Sequence, residues 1–339
     1  MNILSVGYPL FPVNADAGGG TEQILFLLEG QLVKAGHRST VVAARGSRIA
    51  GELIETSSAD GEMTDEVRRR AQAEHRRTIT KALREHDFDL IHFHGLDFYE
   101  YVPEPRIPML ATLHLPVAWY PQSIFELPGV TLNYVSQTQA AGLTGPVVCN
   151  GVDTQRYGGN HEKQNFLLTL GRICPEKGMD AALRVAHRLD LPMIVAGPVH
   201  AFETHRRYFC EQVQPLLDER RRYIGPVGLG EKPGLLGTAR CLLIASSVSE
   251  TSSLVAMEAM SAGTPVVAFR SGALPEVIED GVTGFVTDSE EEMADAVQRV
   301  CEISPEVCRE RARVRFSSCR MVADYLTLYR ELVSGGAFR

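Results

Sequence analysis

The chain has 339 residues, of which 44% are hydrophobic and 22% charged, and its formal net charge is −8. A chain of this length exceeds the size at which one hydrophobic core keeps growing, so we expect a globular protein of two domains. The acidic balance argues against a general nucleic-acid-binding surface, which needs clustered positive charge, but it permits a small anionic ligand in a local positive pocket.

The first half of the chain alternates short apolar runs with amphipathic segments, which is the pattern of a parallel sheet covered on both faces. Glycine and proline clusters separate these segments. Helices are predicted over residues 21–35 and 65–86. Strands are predicted over residues 2–7, 39–44, 89–94, 109–114 and 131–136.

The alternation pauses at residues 148–153, and the polar, glycine-rich stretch 157–164 follows. We therefore place an interdomain linker there. The alternation then starts again, and helices close the chain from residue 290 onward. Strands are predicted over residues 165–170, 192–196, 241–245, 265–269 and 284–287. The sequence thus predicts two doubly wound α/β domains.

The cellular compartment is predicted from the cysteines and the apolar runs. Seven cysteines are scattered without a C-x-x-C pair, which is typical of free thiols in a reducing compartment. The first residues lack the basic region of a signal peptide and are interpreted as a strand, and no later apolar run reaches membrane length. We expect a cytoplasmic protein.

The segment 65–84 is rich in cations, with glutamates interleaved among them. A solvated helix face is the favoured interpretation. A weak peripheral contact with anionic lipids is the alternative. The cations are Arg68, Arg69, Arg70, Arg76, Arg77 and Lys81.

Two glycine-containing loops follow the first predicted strand of each domain. Gly18, Gly19 and Gly20 precede a helix, where unpaired N–H groups and the helix dipole favour a phosphate; a turn capped by Thr21 is the alternative. Arg172 and Lys177 lie in the loop 171–178, at the carboxyl edge of the second predicted sheet. These two cations converge on a diphosphate in one interpretation and are ordinary surface cations in the other.

Two glutamates accompany an apolar helix that is expected to begin near Ser252. Glu258 lies within this helix, where a carboxylate is costly unless it is paired. Glu250 precedes the helix, at the carboxyl end of a strand. Helix capping by Glu250 and a buried ion pair of Glu258 are the structural alternatives. Binding of sugar hydroxyls is the functional one, since a carboxylate accepts two hydrogen bonds from a diol.

Together these motifs resemble family 4 of the retaining nucleotide-sugar glycosyltransferases, whose GT-B fold has two Rossmann-like domains facing across a cleft. The resemblance extends over nearly the whole chain. It is carried by the glycine-rich loop, the strand-ending His114, the segments 150–153 and 171–178, the Glu-x7-Glu motif and the segment 272–285. It implies an acceptor-side domain of residues 1–152, completed by a helix that crosses back in 318–339, and a donor-binding domain of residues 153–317.

The resemblance also implies roles for individual residues. The glycine backbone approaches the donor phosphate, Arg172 and Lys177 hold the diphosphate, Glu250 binds the sugar, Glu258 binds the ribose, and His114 lies beside the sugar ring. The catalytic residues that it implies are His114, Arg172, Lys177 and Glu250. The donor-binding residues that it implies are Gly18, Gly19, Gly20, Arg172, Lys177, Glu250, Ser252, Ser253, Leu254 and Glu258.

The implied reaction is hexose transfer with retained anomeric configuration and without a metal or other cofactor. A UDP-sugar is favoured as donor and a GDP-sugar is possible; the acceptor is a sugar, a lipid or a small molecule. Family members commonly have Pro-Phe-Gly where this chain has Thr251-Ser252-Ser253, which puts the donor sugar and the rate in question. The sequence does not determine the oligomeric state.

Other functions remain open at this stage. A nucleotide-sugar epimerase of the same fold would need acid/base carboxylates that the motifs do not supply, and a non-catalytic nucleotide-sugar binding protein would retain only the donor pocket. His92, His94 and His114 suggest a zinc site, although no carboxylate is placed as a base. The D-x-D of Asp87 and Asp89 opens a strand at its amino end, away from the ligand edge.

Overall fold

The computed structural model describes residues 1–57 and 64–335 and consists of two compact units. The first unit contains residues 1–150 and a C-terminal segment that begins at Ser318, and the second is Gly151–Ser317. The first unit ends at Asn150, two residues before the predicted domain boundary at residue 152. The final residues of the predicted segment 318–339, from 336 onward, lie outside the described part. The acceptor and donor roles of the units stay predictions.

The first unit is built on a six-stranded parallel sheet. Its strands are β1 (Asn2–Val6), β2 (Arg38–Ala44), β3 (Glu52–Thr56), β4 (Leu90–Phe93), β5 (Met109–Thr112) and β6 (Val130–Asn133). The sheet order is β3-β2-β1-β4-β5-β6 and every neighbouring pair is parallel. The central strands are almost continuously buried, as expected when helices cover both faces.

The second unit repeats this architecture with another six-stranded parallel sheet. Its strands are β7 (Leu167–Leu170), β8 (Met193–Ala196), β9 (Arg221–Tyr223), β10 (Cys241–Ile244), β11 (Val266–Phe269) and β12 (Gly284–Thr287). The order is β12-β11-β10-β7-β8-β9, so the loops after β7 and β10 leave neighbouring strands at one edge. The predicted fold of two doubly wound α/β domains is confirmed.

The described part of the chain contains helices in both units. They are α1 (Gly20–Lys34), α2 (Asp65–Glu85), α3 (Gln137–Ala140), α4 (Thr154–Tyr157), α5 (Met179–Arg188), α6 (Glu203–Tyr208), α7 (Lys232–Thr238), α8 (Leu254–Ser261), α9 (Leu274–Val277), α10 (Glu290–Arg299), α11 (Pro305–Phe316) and α12 (Ser318–Val333). Helix α12 packs against α1 in the first unit. Its buried Tyr325 and Tyr329 reach the sheet, where the Tyr329 hydroxyl lies 2.7 Å from Nδ1 of His92.

Two strands and the character of one segment differ from the sequence expectations. Strands β3 and β9 are edge strands that the hydrophobic pattern did not reveal, because charged residues interrupt both. The stretch 157–164, expected to be part of the linker, belongs to the second unit. Tyr157 at its start is buried in the core of that unit, so the linker prediction was wrong for this stretch.

The cation-rich helix α2 has a buried stripe of His75, Ile79 and Ala82 and a polar remainder. Arg76 donates a hydrogen bond to the carbonyl of Glu100 at 3.0 Å from Nε. Two exposed ion pairs lie along the helix itself, Arg68 with Asp65 and Lys81 with Glu85. This amphipathic arrangement agrees with a solvated face, and the peripheral lipid contact stays a prediction.

Candidate active site

The predicted diphosphate loop of the second unit begins at the carboxyl end of β7 and closes tightly against the end of β10. Gly178 has φ +60°, and a Cβ at this position would collide with the carbonyl of Ala245. Gly272, with φ +52°, approaches the backbone of Glu250 in the same way from the loop after β11. Only glycine fits such contacts, so these glycines bring three strand-ending loops together at one edge of the sheet.

Lys177 and Glu250, two of the predicted catalytic residues, meet at this edge. The Lys177 ammonium lies 2.5 Å from Oε1 of Glu250, and the two side chains are 27% and 11% exposed. The Ser246 hydroxyl donates a hydrogen bond of 2.5 Å to the same carboxylate oxygen. The sequence identified both charged residues but assigned them to different parts of a donor. In the structure they neutralise each other.

Arg172 is exposed in the same loop. Burial, together with the positive charge of Arg172, lowers the pKa of His200 in the loop after β8. The guanidinium therefore lies near the carboxyl ends of both β7 and β8. This is the edge of an open α/β sheet at which ligands bind.

Glu258 is buried in α8 and has two partners that the sequence did not indicate. The Tyr157 hydroxyl donates a hydrogen bond of 2.7 Å to Oε1. The Lys232 ammonium lies 2.5 Å from Oε2 and forms an ion pair with it. The angles of this contact are not those of a hydrogen bond, and Oε2 has no hydrogen-bond partner among the described residues. Burial, followed by the charge of Glu258, raises the pKa of Tyr157 well above its usual range. The expected partner of this carboxylate is thus a buried lysine, which supports the ion-pair alternative.

The serines that stand in place of the usual Pro-Phe-Gly lie immediately before α8. Helix α8 begins at Leu254, which is half-buried, and Ser253 is its N-terminal flanking residue without a side-chain capping bond. The Ser252 hydroxyl is buried and has no hydrogen-bond partner among the described residues. Buried hydroxyls are almost always paired, so this unpartnered group two residues after Glu250 needs an explanation.

The glycine-rich loop of the first unit opens α1, which begins at Gly20 with Gly19 as its flanking residue. Thr21 lies inside the helix, so the alternative interpretation of a turn capped by Thr21 was wrong. Gly18 and Gly20 are exposed. A Cβ at Gly19 would collide with the carboxylate of Glu22, whose pKa burial raises. A carboxylate therefore already lies at the helix end predicted to bind a phosphate.

His114 follows β5 in the first unit and lies against His94. Its Nε2 is 3.2 Å from Nδ1 of His94, and the two rings are stacked with centroids 5.4 Å apart. Burial lowers the pKa of His114 to about 4. The imidazole is consequently neutral near pH 7 and interacts with a ligand as a hydrogen-bonding group rather than as a cation.

The three histidines considered as a zinc site do lie close together, since the rings of His92 and His94 have centroids 3.9 Å apart. Both ring nitrogens of His92 are engaged, one by Tyr329 and the other by Thr112 at 2.8 Å. These bonds make His92 part of a buried hydrogen-bond network rather than a metal ligand. Asp89 of the D-x-D accepts a hydrogen bond of 2.7 Å from the backbone of Asn2, at the amino edge of the sheet.

Comparison with known proteins agrees with the architecture of each unit. The model of the family "Glycosyl transferases group 1" matches residues 153–315, and that of "Glycosyltransferase Family 4" matches residues 18–156. Two parallel α/β units with loops at the carboxyl edges define a protein of the GT-B class. Each family model covers less than half of the chain, so residues 153–315 are similar to the group 1 glycosyltransferases and residues 18–156 to glycosyltransferase family 4, in agreement with the resemblance seen in the sequence.

The curated relatives match only part of their own length. A D-inositol 3-phosphate glycosyltransferase of Saccharomonospora viridis is 33% identical over 189 residues, which are 50% of this chain and 43% of the relative. An uncharacterized 41.2 kDa protein of the Klebsiella pneumoniae cps region is 30% identical over 194 residues, covering 54% of this chain and 49% of the relative. The chain thus spans about half the length of these relatives.

Solved structures match over the whole chain and show the fold. AviGT4, a glycosyltransferase involved in avilamycin A biosynthesis, has a TM-score of 0.77 and 24% identity, covering 100% of both chains. HepE of Anabaena, in complex with UDP and glucose, has a TM-score of 0.75 and 19% identity, covering 98% of this chain and 100% of HepE. Within the part of this chain that the structure describes, no helix is long and apolar enough to cross a membrane.

Proposed function

We propose that this chain is a retaining glycosyltransferase of family 4 that moves a hexose from a nucleoside diphosphate sugar to an acceptor. A UDP-sugar is the favoured donor and a GDP-sugar the alternative; the acceptor is a sugar, a lipid or a small molecule. The observation that carries the proposal is the convergence of Lys177, Glu250 and Ser246 where β7 and β10 end. The complex of HepE with UDP and glucose supports the donor class.

Arg172 and Lys177 stabilise the leaving diphosphate in this mechanism. As the glycosidic bond breaks, positive charge develops on the sugar and negative charge on the departing phosphate oxygens. Cations fixed near those oxygens stabilise the transition state more than the ground state, because the negative charge grows there. The leaving phosphate accepts the proton of the acceptor hydroxyl, and the acceptor oxygen forms the new bond on the face that the phosphate leaves.

Glu250 and His114 contribute to sugar recognition in the same proposal. When a phosphate draws Lys177 away, the carboxylate of Glu250 accepts hydrogen bonds from sugar hydroxyls, and Ser246 keeps it in place. His114, neutral because burial lowers its pKa to about 4, offers a hydrogen bond to the sugar ring. The neutral imidazole does not repel the positive charge of the developing oxocarbenium ion.

The proposed transfer uses these side chains rather than a divalent metal to neutralise the diphosphate. Activity should therefore survive a brief treatment with EDTA. Loss of turnover that magnesium or manganese restores would contradict this part of the proposal. If zinc alone restored the activity after EDTA treatment, the result would instead indicate a metal that supports the fold.

Three functions are separated by incubating the protein with UDP- and GDP-sugars and a panel of acceptors. Transfer with retained configuration, determined by NMR of the product, supports the proposal. Interconversion of the donor sugar marks an epimerase, and thermal stabilisation without turnover marks a binding protein. Such a thermal shift is easily measured, since a ligand at 100 times its dissociation constant stabilises by about 2.7 kcal/mol.

The role of the loop is tested by steady-state kinetics of Arg172→Ala and Lys177→Ala. Loss of one preorganised charged donor typically lowers kcat by about two to three orders of magnitude. We expect kcat to fall more than donor KM rises, and Arg172→Lys to recover only part of the rate, since the planar fork is lost. Arg188→Ala is the matched control, an exposed cation at the end of α5 in the same unit. Normal kcat in both loop variants would refute the mechanism.

A further inference from the structure

A cluster of three side chains that could bind a metal includes two residues of the predicted diphosphate loop, and no motif in the sequence indicated it. Cys174 and Glu176 belong to the loop after β7, and His205 belongs to α6, which follows β8. One ligand atom from each residue lies within 4.8 Å of the other two. Residues about thirty positions apart are thus brought together by the parallel pairing of β7 with β8.

The polar atoms of this cluster are buried and incompletely satisfied. Oε2 of Glu176 and Nδ1 of His205 are both buried without a hydrogen-bond partner among the described residues. Cys174 is fully buried; its thiol donates a long hydrogen bond, 3.6 Å, to the carbonyl of Arg172 and also contacts the carboxylate of Glu176. Buried polar atoms are almost always paired, so two orphans in one cluster need an explanation.

We propose that Cys174, Glu176 and His205 bind a borderline divalent cation, with zinc as the best fit. Thiolate, imidazole and carboxylate are the ligands that zinc takes from proteins. On binding, the Cys174 thiol gives its proton to solvent and Sγ donates an electron pair to the ion, with no change of oxidation state. The thiolate and the carboxylate of Glu176 then supply two negative charges that match the divalent ion.

The geometry requires only a small adjustment of the side chains. Zinc bonds of about 2.0–2.3 Å place tetrahedral ligands about 3.5 Å apart, so atoms that lie within 4.8 Å of one another would close by at most about 1.3 Å. A water molecule completes the tetrahedron, since three protein ligands leave one position open. The ion would join the turn that carries Lys177 to α6. Joining these two segments would be the effect of the ion, and the proposal does not depend on the transfer reaction.

The first test measures zinc bound to the whole chain. The protein is incubated with zinc, freed of excess ion by gel filtration, and analysed for metal content. We expect a single ion per chain, lost in Cys174→Ser and in His205→Gln. The matched control is Cys210→Ser, an exposed thiol in the turn after α6, which should keep the ion. A chain that retains no zinc would overturn the proposal, and so would equal retention in all variants, which indicates an adventitious ion only.

A second measurement stays informative if a variant folds poorly. Cobalt replaces zinc and shows a thiolate-to-metal charge-transfer band only when sulfur is a ligand. The wild type and Cys210→Ser should show this band, and Cys174→Ser, checked for folding by circular dichroism, should lack it. Glu176→Gln should keep the band with weaker cobalt affinity, because one ligand charge is lost. Wild-type cobalt spectra without a thiolate band would overturn the assignment of Cys174.

Discussion

Replacing Glu258 by glutamine should lower the stability of the second unit, because the buried Lys232 ammonium would lose its charged partner. The two groups are 2.5 Å apart, and their side chains are only 11% and 5% exposed. Glutamine keeps the shape of glutamate and still accepts the hydrogen bond from Tyr157, which lies 2.7 Å from Oε1. The loss is therefore confined to the charge opposite Lys232.

The expected loss of stability in Glu258→Gln follows from the burial of the Lys232–Glu258 ion pair. Removing one partner of a buried ion pair costs about 3–5 kcal/mol, because the remaining charge stays buried and uncompensated. Since the Tyr157 bond survives, we expect the lower end, about 3 kcal/mol. For a unit of this size each kcal/mol shifts the melting temperature by about 2–4 °C, so Tm should fall by about 6–12 °C.

Calorimetry of a small set of variants separates this effect from others. Lys232→Met should be as destabilising as Glu258→Gln, and the double variant should be more stable than the sum of the two losses implies. Glu302→Gln is the control, because its ion pair with Arg299 is exposed and worth at most about 1 kcal/mol. A Tm for Glu258→Gln within about 2 °C of the wild type would refute the reasoning.

The same variants test the predicted role of Glu258 in binding the ribose. A lost charge-assisted hydrogen bond weakens donor affinity by about 1.5–3 kcal/mol. The buried ion pair with Lys232 predicts a loss of stability in the same variant as well. Binding must therefore be measured well below the Tm of each variant. Normal donor affinity in folded Glu258→Gln would remove this residue from the ribose site.

Two predictions concern the histidines of the first unit. His94→Phe keeps a ring of similar size but removes the 3.2 Å contact with His114, so kcat should fall by up to about tenfold with little change in donor KM. 15N NMR should show an altered tautomer of His114 in this variant. An unchanged tautomer would contradict the proposal that His94 positions the His114 ring. Burial lowers the pKa of His75 and of His114 to about 4, so each binds a proton more readily when unfolded, and each should cost up to about 3 kcal/mol of stability as pH falls from 7 to 4. Urea unfolding followed by Trp119 fluorescence measures this, and a stability that rises on acidification would refute it.

The central strands could be predicted because they are short, continuous apolar runs. Strand β1 and strand β10 are buried along almost their full length, and parallel sheets require that pattern. The edge strand β9, Arg221–Tyr223, has a sequence typical of a charged surface segment, so no local pattern distinguished it. An edge strand pairs with one neighbouring strand only, and its pattern of hydrophobic residues is less regular than that of a central strand.

The sequence identified individual charged residues of the site, but it did not indicate which residues would be their partners. A carboxylate in an apolar helix requires a partner, and Glu258 has one. That partner, Lys232, is on another helix, and Tyr157 lies in a stretch that was interpreted as linker. Lys177 and Glu250 meet only because β7 and β10 are neighbours in the sheet, an order that no local sequence pattern encodes.

The Lys177–Glu250 pair implies that phosphate and sugar recognition are coupled. The Lys177 ammonium cannot turn toward a phosphate without weakening its 2.5 Å contact with Glu250. A nucleoside diphosphate alone would leave that carboxylate, 11% exposed, with the Ser246 hydroxyl and no cation. The hydroxyls of a complete nucleotide sugar would satisfy it, so the sugar should add to the affinity rather than merely accompany the nucleotide.

Calorimetry tests this coupling by comparing UDP with the UDP-sugar found to be the donor. In the wild type the nucleotide sugar should bind about tenfold or more tightly than UDP, which corresponds to one charge-assisted hydrogen bond. Glu250→Gln removes the charge that holds Lys177, so UDP should bind at least as tightly as before while the advantage of the sugar shrinks. Equal affinities for UDP and the nucleotide sugar in the wild type would mean that Glu250 does not contact the sugar. A Glu250→Gln variant that loses affinity for UDP would mean that the carboxylate orients Lys177 toward the phosphate instead of competing for it.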